Sequence, residues 1–100
     1  MVIEIWEIRF PAPVDKEKVE DFLNNVCKPA NEKAGYKMTR WAWTNTGGPM
    51  DVLTFIGELD SFADIERVWT VKEMKELAAE WERRYPNAEG GRIKILEVIE

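Results

Sequence analysis

The chain predicts an α+β fold in which a four-stranded antiparallel sheet carries two helices on one face. Three observations carry this. Four stretches are rich in β-branched and aromatic residues with apolar side chains on both alternating sides. Two others repeat apolar residues every three or four positions. Pro and Gly punctuate the boundaries, so the order reads strand, helix, strand, strand, helix, strand. No linker, repeat or low-complexity stretch interrupts the 100 residues, so residues 1–100 are expected to form one domain.

Val2 to Phe10 is the first strand, stopped by Pro11 and Pro13, which lack the amide hydrogen a ladder needs. Asp15 is placed to cap a helix whose buried stripe is Val19, Phe22, Leu23, Val26, Cys27 and Ala30. Pro29 removes an internal hydrogen bond, so a kink or restart is expected there, and Gly35 supplies a left-handed end. Tyr36 to Asn45 and Asp51 to Leu59 read as antiparallel strands joined by a hairpin turn through Thr46, Gly47, Gly48 and Pro49. Ser61 with Asp64 resembles a capping box ahead of the stripe Phe62, Ile65, Val68 and Trp69. Thr70 with Glu73 repeats that signal before a second helical piece with Met74, Leu77, Ala78 and Trp81 on one face, ending at Pro86. Gly90 and Gly91 turn the chain into a last strand, Arg92 to Ile99. This βαββαβ order is the ferredoxin-like split βαβ pattern.

Right-handed crossovers place both helices on one side of such a sheet and leave the other side open. Yet the strands are apolar on both sides. Val2, Trp6, Ile8 and Phe10 oppose Ile3 and Ile5; Tyr36, Met38 and Ala42 oppose Trp41 and Trp43; Val52 and Ile56 oppose Leu53, Phe55 and Leu59; Ile93, Ile95 and Ile99 oppose Leu96 and Val98. Burying five medium-sized side chains of the open side at ~2 kcal/mol each yields on the order of 10 kcal/mol per subunit before association entropy is subtracted. The expected partner is therefore a second copy of the chain, joined sheet to sheet as a dimeric α+β barrel.

A net charge of −5 and the lack of a Lys/Arg cluster beyond Arg83 and Arg84 argue against nucleic acid and anionic lipid. Glu4 and Glu7 interrupt the first apolar stretch, which carries neither a basic leader nor a small-residue cleavage site. No signal peptide or membrane span is expected, and a cytoplasmic location is. The single cysteine, Cys27, falls on a helix stripe, where a reduced buried thiol acts as a small hydrophobe.

The absence of histidine excludes Ser-His-Asp and Cys-His arrangements, an imidazole base and the ordinary zinc or haem ligand sets; no metal and no cofactor are expected. The only serine, Ser61, reads as a helix cap. Gly47 and Gly48 lie between strands, whereas phosphate-binding glycine loops lead into a helix. Glu17, Glu20, Asp21, Glu73, Glu76 and Glu80 take outward helix positions. What remains are charges set within apolar strands: Glu7, Arg9, Arg40, Glu58 and Glu97. They serve either as ion pairs at strand ends or across the dimer seam, or, for Arg9 and Arg40, as contacts to an anionic or phenolate-like ligand. Among the five tryptophans, Trp43 and Trp69 are placed either to line an aromatic-binding pocket or to anchor the core.

The segments Trp6-Glu7-Ile8-Arg9, Asp51-Val52-Leu53-Thr54-Phe55 and Leu59-Asp60-Ser61-Phe62-Ala63-Asp64-Ile65-Glu66-Arg67 resemble the strand and helix-start signatures of NIPSNAP-like proteins in the dimeric α+β barrel superfamily. Trp6 stands where a tyrosine is commoner. The resemblance implies a ferredoxin-like subunit, a sheet-to-sheet homodimer and a cavity, and the wider superfamily includes monooxygenases that oxidise aromatic substrates without metal or flavin.

Two functional expectations follow. In the first, a homodimeric barrel binds an apolar or aromatic metabolite and acts on it as a cofactor-independent oxidoreductase. Trp43 and Trp69 exclude water, Arg9 or Arg40 stabilises a developing anion, and Glu7 accepts the proton if burial raises its pKa. In the second, the dimer is a non-catalytic ligand sensor or protein-interaction module whose interior its own side chains fill. An enclosed pocket of roughly 300 Å³ or more distinguishes them.

Overall fold

In the computed structural model, residues 1–11, 13–44 and 51–99 are described. The chain runs β1 (Val2–Phe10), α1 (Lys16–Phe22), a π-helical segment (Leu23–Cys27), α2 (Lys28–Ala34), β2 (Met38–Thr44), β3 (Asp51–Leu59), α3 (Phe62–Thr70), α4 (Lys72–Arg84), β4 (Glu89–Gly90) and β5 (Lys94–Glu97). The hairpin turn expected at residues 46–49 lies outside the described residues.

The sheet order is β2-β3-β1, with β4 and β5 both pairing the far edge of β1, and all pairings are antiparallel. This is the expected ferredoxin-like α+β architecture, with the last strand in two pieces. β4 sets Gly90 opposite Ile8, whereas β5 sets Lys94 opposite Ile5, so three residues, 91–93, face two on β1. That extra residue is a β-bulge. Gly91 does not turn the chain as expected but donates its N–H to the Glu7 carbonyl at 2.7 Å. One continuous strand, Arg92 to Ile99, is anticipated from the sequence because Gly90 and Gly91 read as a turn, whereas glycine in a strand also marks a bulge. The slip puts Ile95 opposite Glu4, on the helix-covered side, and leaves Ile93 and Ile99 exposed.

The first helical stretch is continuous through Pro29 and does not break. The proline ring would collide with the carbonyl four residues back in a regular helix. The preceding turn instead widens, and the Lys28 N–H reaches the Leu23 carbonyl, five residues away. At the other end Gly35 adopts φ 118°, and the N–H groups of Gly35 and Tyr36 both donate to the Asn31 carbonyl at 3.2 Å. Tyr36 therefore belongs to this cap rather than to β2, and its side chain is buried instead of lying with Met38.

Ser61 occupies the expected N-cap position, but its hydroxyl donates to the Asp64 carboxylate at 3.1 Å and caps no backbone amide. The cap of α4 is Val71, in extended conformation, rather than Thr70, whose hydroxyl donates to the Arg67 carbonyl at 2.8 Å. The core lies between sheet and helices. Phe10, Leu53, Phe55 and Leu59 meet Val19, Phe22, Leu23 and Cys27 of the first helical stretch, and Val68, Met74 and Leu77 of the second. No described helix is long and apolar enough to cross a membrane.

Candidate functional site

The alternation along β1 directs Val2, Glu4, Trp6, Ile8 and Phe10 towards the helices. Across the ladder, Trp6 faces Phe55, which in turn faces Trp41. These three rings form a packed layer: Trp6 stacks on Phe55 at 4.9 Å and meets Trp41 edge to face at 5.5 Å. Trp81 and Tyr85 of the α4 end extend the cluster, the Trp81 ring lying 5.9 Å from Trp41 and 5.8 Å from Tyr85. Between this layer and α4 lies a cavity of about 370 Å³, bounded by Trp6, Trp41, Trp69, Met74, Trp81 and Tyr85. That volume falls within the range of about 300–1,000 Å³ typical of small-molecule sites.

Behind the tryptophan wall is Glu4, fully buried. Its carboxylate accepts hydrogen bonds from Trp6 Nε1 at 2.9 Å, the Tyr36 hydroxyl at 2.9 Å and Trp69 Nε1 at 3.0 Å. None of the ion pairs among the described residues involves it. A lone buried carboxylate is tolerated only when its oxygens are well supplied with donors, and here two indoles and a phenol supply them. In return it fixes two tryptophan rings that border the cavity. Gly57, directly across from Glu4, makes room for this. A Cβ there would lie 2.7 Å from the Tyr36 ring and 2.8 Å from the Phe55 ring. Burial, followed by the neighbouring Glu4 charge, pushes the Tyr36 phenol far above its ordinary pKa and holds it as a donor.

Asn31 of α2 also borders the cavity. It is 1% exposed and its Nδ2 has no hydrogen-bond partner among the described residues. Trp41 Nε1 is likewise buried and has no partner among the described residues. Among the described residues no Lys or Arg borders the cavity, and Glu82 is the only carboxylate that does. Beneath, burial pushes the Cys27 thiol up to about 12, against the smaller opposing influences of a Trp81 hydrogen bond and Arg84. Cys27 is thus a packed apolar group rather than a nucleophile.

The five residues singled out from the sequence are not brought together. Trp69 borders the cavity and binds Glu4. Trp43 lies further along, donating to Glu20 at 3.3 Å beneath the Lys16 ammonium, which sits 5.1 Å from its ring centre. Glu7, Arg9 and Arg40 occupy the sheet positions that alternate to the opposite face. Arg9 lies 3.9 Å from Glu7, with both side chains largely in solvent. The sequence reading passed over Glu4 and Asn31. For Glu4 the signal was available, since it is the one charge in the row Val2, Trp6, Ile8, Phe10. For Asn31 only the helix stripe hinted at an inward polar residue. Among the described residues no three His, Cys, Asp or Glu side chains converge as a metal site would require.

No protein-family model matches the chain, and no curated protein sequence does. Solved structures do. HapK from Hahella chejuensis superposes with a TM-score of 0.79 at 14% identity, over 99% of this chain and 93% of that one. A dimeric ferredoxin-like protein from an uncultured marine organism gives 0.69 at 12% identity, over 99% and 95%. An antibiotic biosynthesis monooxygenase gives 0.61 at 12% identity, over 98% and 99%. At these identities the likeness is one of fold. The chain therefore has the ferredoxin-like fold found in dimeric barrels and in proteins of the antibiotic biosynthesis monooxygenase type.

Proposed function

We propose that the protein is a homodimeric small-molecule-binding barrel that oxidises an apolar or aromatic metabolite with dioxygen, without a cofactor of its own. The observation that carries this reading is the cavity of about 370 Å³ walled by Trp6, Trp41, Trp69 and Trp81. Flat aromatic walls fit a flat aromatic guest. In a balanced form of the reaction, a ring CH₂ becomes C=O while one O₂ is consumed and one water released, the substrate supplying all four electrons. The fold likeness to an antibiotic biosynthesis monooxygenase supports the reading, as does the resemblance of the strand segments to NIPSNAP-like proteins.

The open sheet face serves the dimer. Ile3, Ile5, Met38, Val52, Ile56 and Leu96 share it, and within one subunit the first five are only partly buried and Leu96 is exposed. On this reading Glu7, Arg9 and Arg40 belong to the seam between subunits, and Trp69 is the ligand-facing member of the earlier set. A sensor that binds without turnover is the second reading. It is favoured by the full engagement of Glu4 with three donors, which leaves Glu82 as the one carboxylate among the described residues that borders the cavity. Native mass spectrometry of the purified protein, followed by oxygen-electrode assays with phenolic and ring-ketone substrates, separates them. A bound metabolite with oxygen uptake supports the enzyme, and a bound metabolite without uptake supports the sensor. If neither appears, the cavity is not a ligand site.

A further inference from the structure

Charge on the open face of the sheet is laid out for one kind of partner. At its centre Ile56 of β3 faces Ile5 of β1 across the ladder. Arg40 lies one strand beyond Ile56, and Lys94 one strand beyond Ile5. Glu58 is the next same-face residue along β3 from Ile56, and Glu7 the next along β1 from Ile5, in the opposite direction. Arg40, Glu58 and Lys94 have no ion-pair partner among the described residues, and Glu7 reaches Arg9 only at 3.9 Å. With Arg9 and its cross-strand neighbour Glu89, the face holds three carboxylates and three cations, although the chain as a whole carries a net charge of −5. A balanced face does not match a partner of a single sign. It matches its own copy, provided that the two-fold axis brings unlike charges together.

That condition selects the orientation. An axis along the strands lays Arg40 over the partner's Lys94, and an axis across them through Ile5 and Ile56 lays each cation on its own copy. Both set like charge against like. An oblique axis beside Ile5 and Ile56 exchanges a step across the strands for a step along one. It lays Glu58 over the partner's Arg40 and Glu7 over the partner's Lys94; the other oblique axis joins Glu58 to the partner's Lys94 and Glu7 to the partner's Arg40. In both, the isoleucines meet at the middle. With strands about 4.8 Å apart and same-face residues about 6.8 Å apart, the strands of the two sheets cross at about 70°.

We propose that the open face is the seam of an obliquely crossed homodimer, in which Glu7 and Glu58 of each subunit pair with Arg40 and Lys94 of the partner subunit. The inference rests on the homodimer proposed above and adds how its subunits are oriented.

The test is sedimentation equilibrium of the full chain at micromolar concentration. Glu58→Lys and Arg40→Glu are each expected to raise the dimer dissociation constant roughly a hundredfold, because two repulsive contacts replace two attractive ones. Arg40 is exposed and Glu58 only partly buried, so both variants should keep the native circular dichroism spectrum. The double variants Glu58→Lys/Arg40→Glu and Glu58→Lys/Lys94→Glu leave the net charge unchanged. One of them is expected to return the dissociation constant to within about tenfold of the wild-type value, since it re-creates the pair with its signs exchanged, and the one that does so identifies the axis. Recovery in neither, recovery in both alike, or single reversals that dimerise as tightly as wild type overturn the paired seam while leaving the homodimer in place. A wild-type chain that stays monomeric overturns the homodimer and the inference with it.

Discussion

The two faces of the sheet are made by the same strands, yet they treat charge in opposite ways. On the helix-covered face a single carboxylate, Glu4, is fully buried and saturated by two indoles and a phenol. On the open face Glu7, Arg9, Arg40, Glu58 and Lys94 alternate with Ile, Val and Met, and their charges remain reachable by water. The comparison teaches that an apolar row and a mixed row look alike when only hydrophobicity is counted. What separates them is whether each polar group has its partners inside the subunit.

The largest expected effect breaks the open face. Ile56→Asp places a charge at its centre, opposite Ile5, and in a symmetric dimer each subunit contributes one. Burying two unpaired carboxylates is expected to cost roughly 5 kcal/mol per dimer, so light scattering at micromolar concentration should show monomers that keep a native circular dichroism spectrum. An unchanged dimer would remove the seam from this face.

Alkali tests the covered face. Cys27 and Tyr36 both have raised pKa values there, chiefly through burial, so the folded state holds their protonated forms. A raised folded pKa gives stability that is whole below the unfolded value and lost as pH climbs towards the folded one. For Cys27 that window runs from 9.0 to about 12 and represents on the order of 4 kcal/mol. Urea midpoints should be flat up to pH 9 and then fall, and Cys27→Ala should flatten part of the fall.

Glu4→Leu sharpens the contrast further by leaving Trp6, Trp69 and Tyr36 without their shared acceptor. About 3 kcal/mol of stability should go, read by denaturant unfolding, while Glu7→Leu on the open face should change subunit stability by less than about 0.5 kcal/mol. Equal losses at the two sites would erase the distinction drawn between the faces. A smaller loss than at Glu4 is expected at Gly57→Ala, where the new methyl group must displace the Tyr36 or Phe55 ring, at about 2 kcal/mol.

Much of the architecture was legible in the chain because it rests on periodicity. The alternation of Val2 to Phe10 and the stripe from Val19 to Cys27 each identify an element and its buried side. Local geometry was less so. Pro29 signals a disturbed helix, but whether the chain breaks or widens a turn depends on the packing of Leu23 and Cys27, which are both buried. The slip after Gly90 is marked only by the pair Gly90-Gly91, which serves a turn as well as a bulge, so Ile95 could not be placed by counting. The site was the least legible part. Arg9 and Arg40 drew attention as charges among apolar neighbours, yet their side of the sheet is the one without helices. Glu4 is visible only when the row from Val2 to Phe10 is read as one surface. Asn31 becomes informative only when its missing partner is seen beside a cavity.

The three-against-two mismatch at residues 91–93 has an evolutionary corollary. Losing a single codon there would leave two residues against two, so that Gly90 opposite Ile8 and Lys94 opposite Ile5 would fall in one unbroken ladder. The bulge can thus be lost or gained by a change in chain length alone, with every side chain of β5 kept on its own face of the sheet.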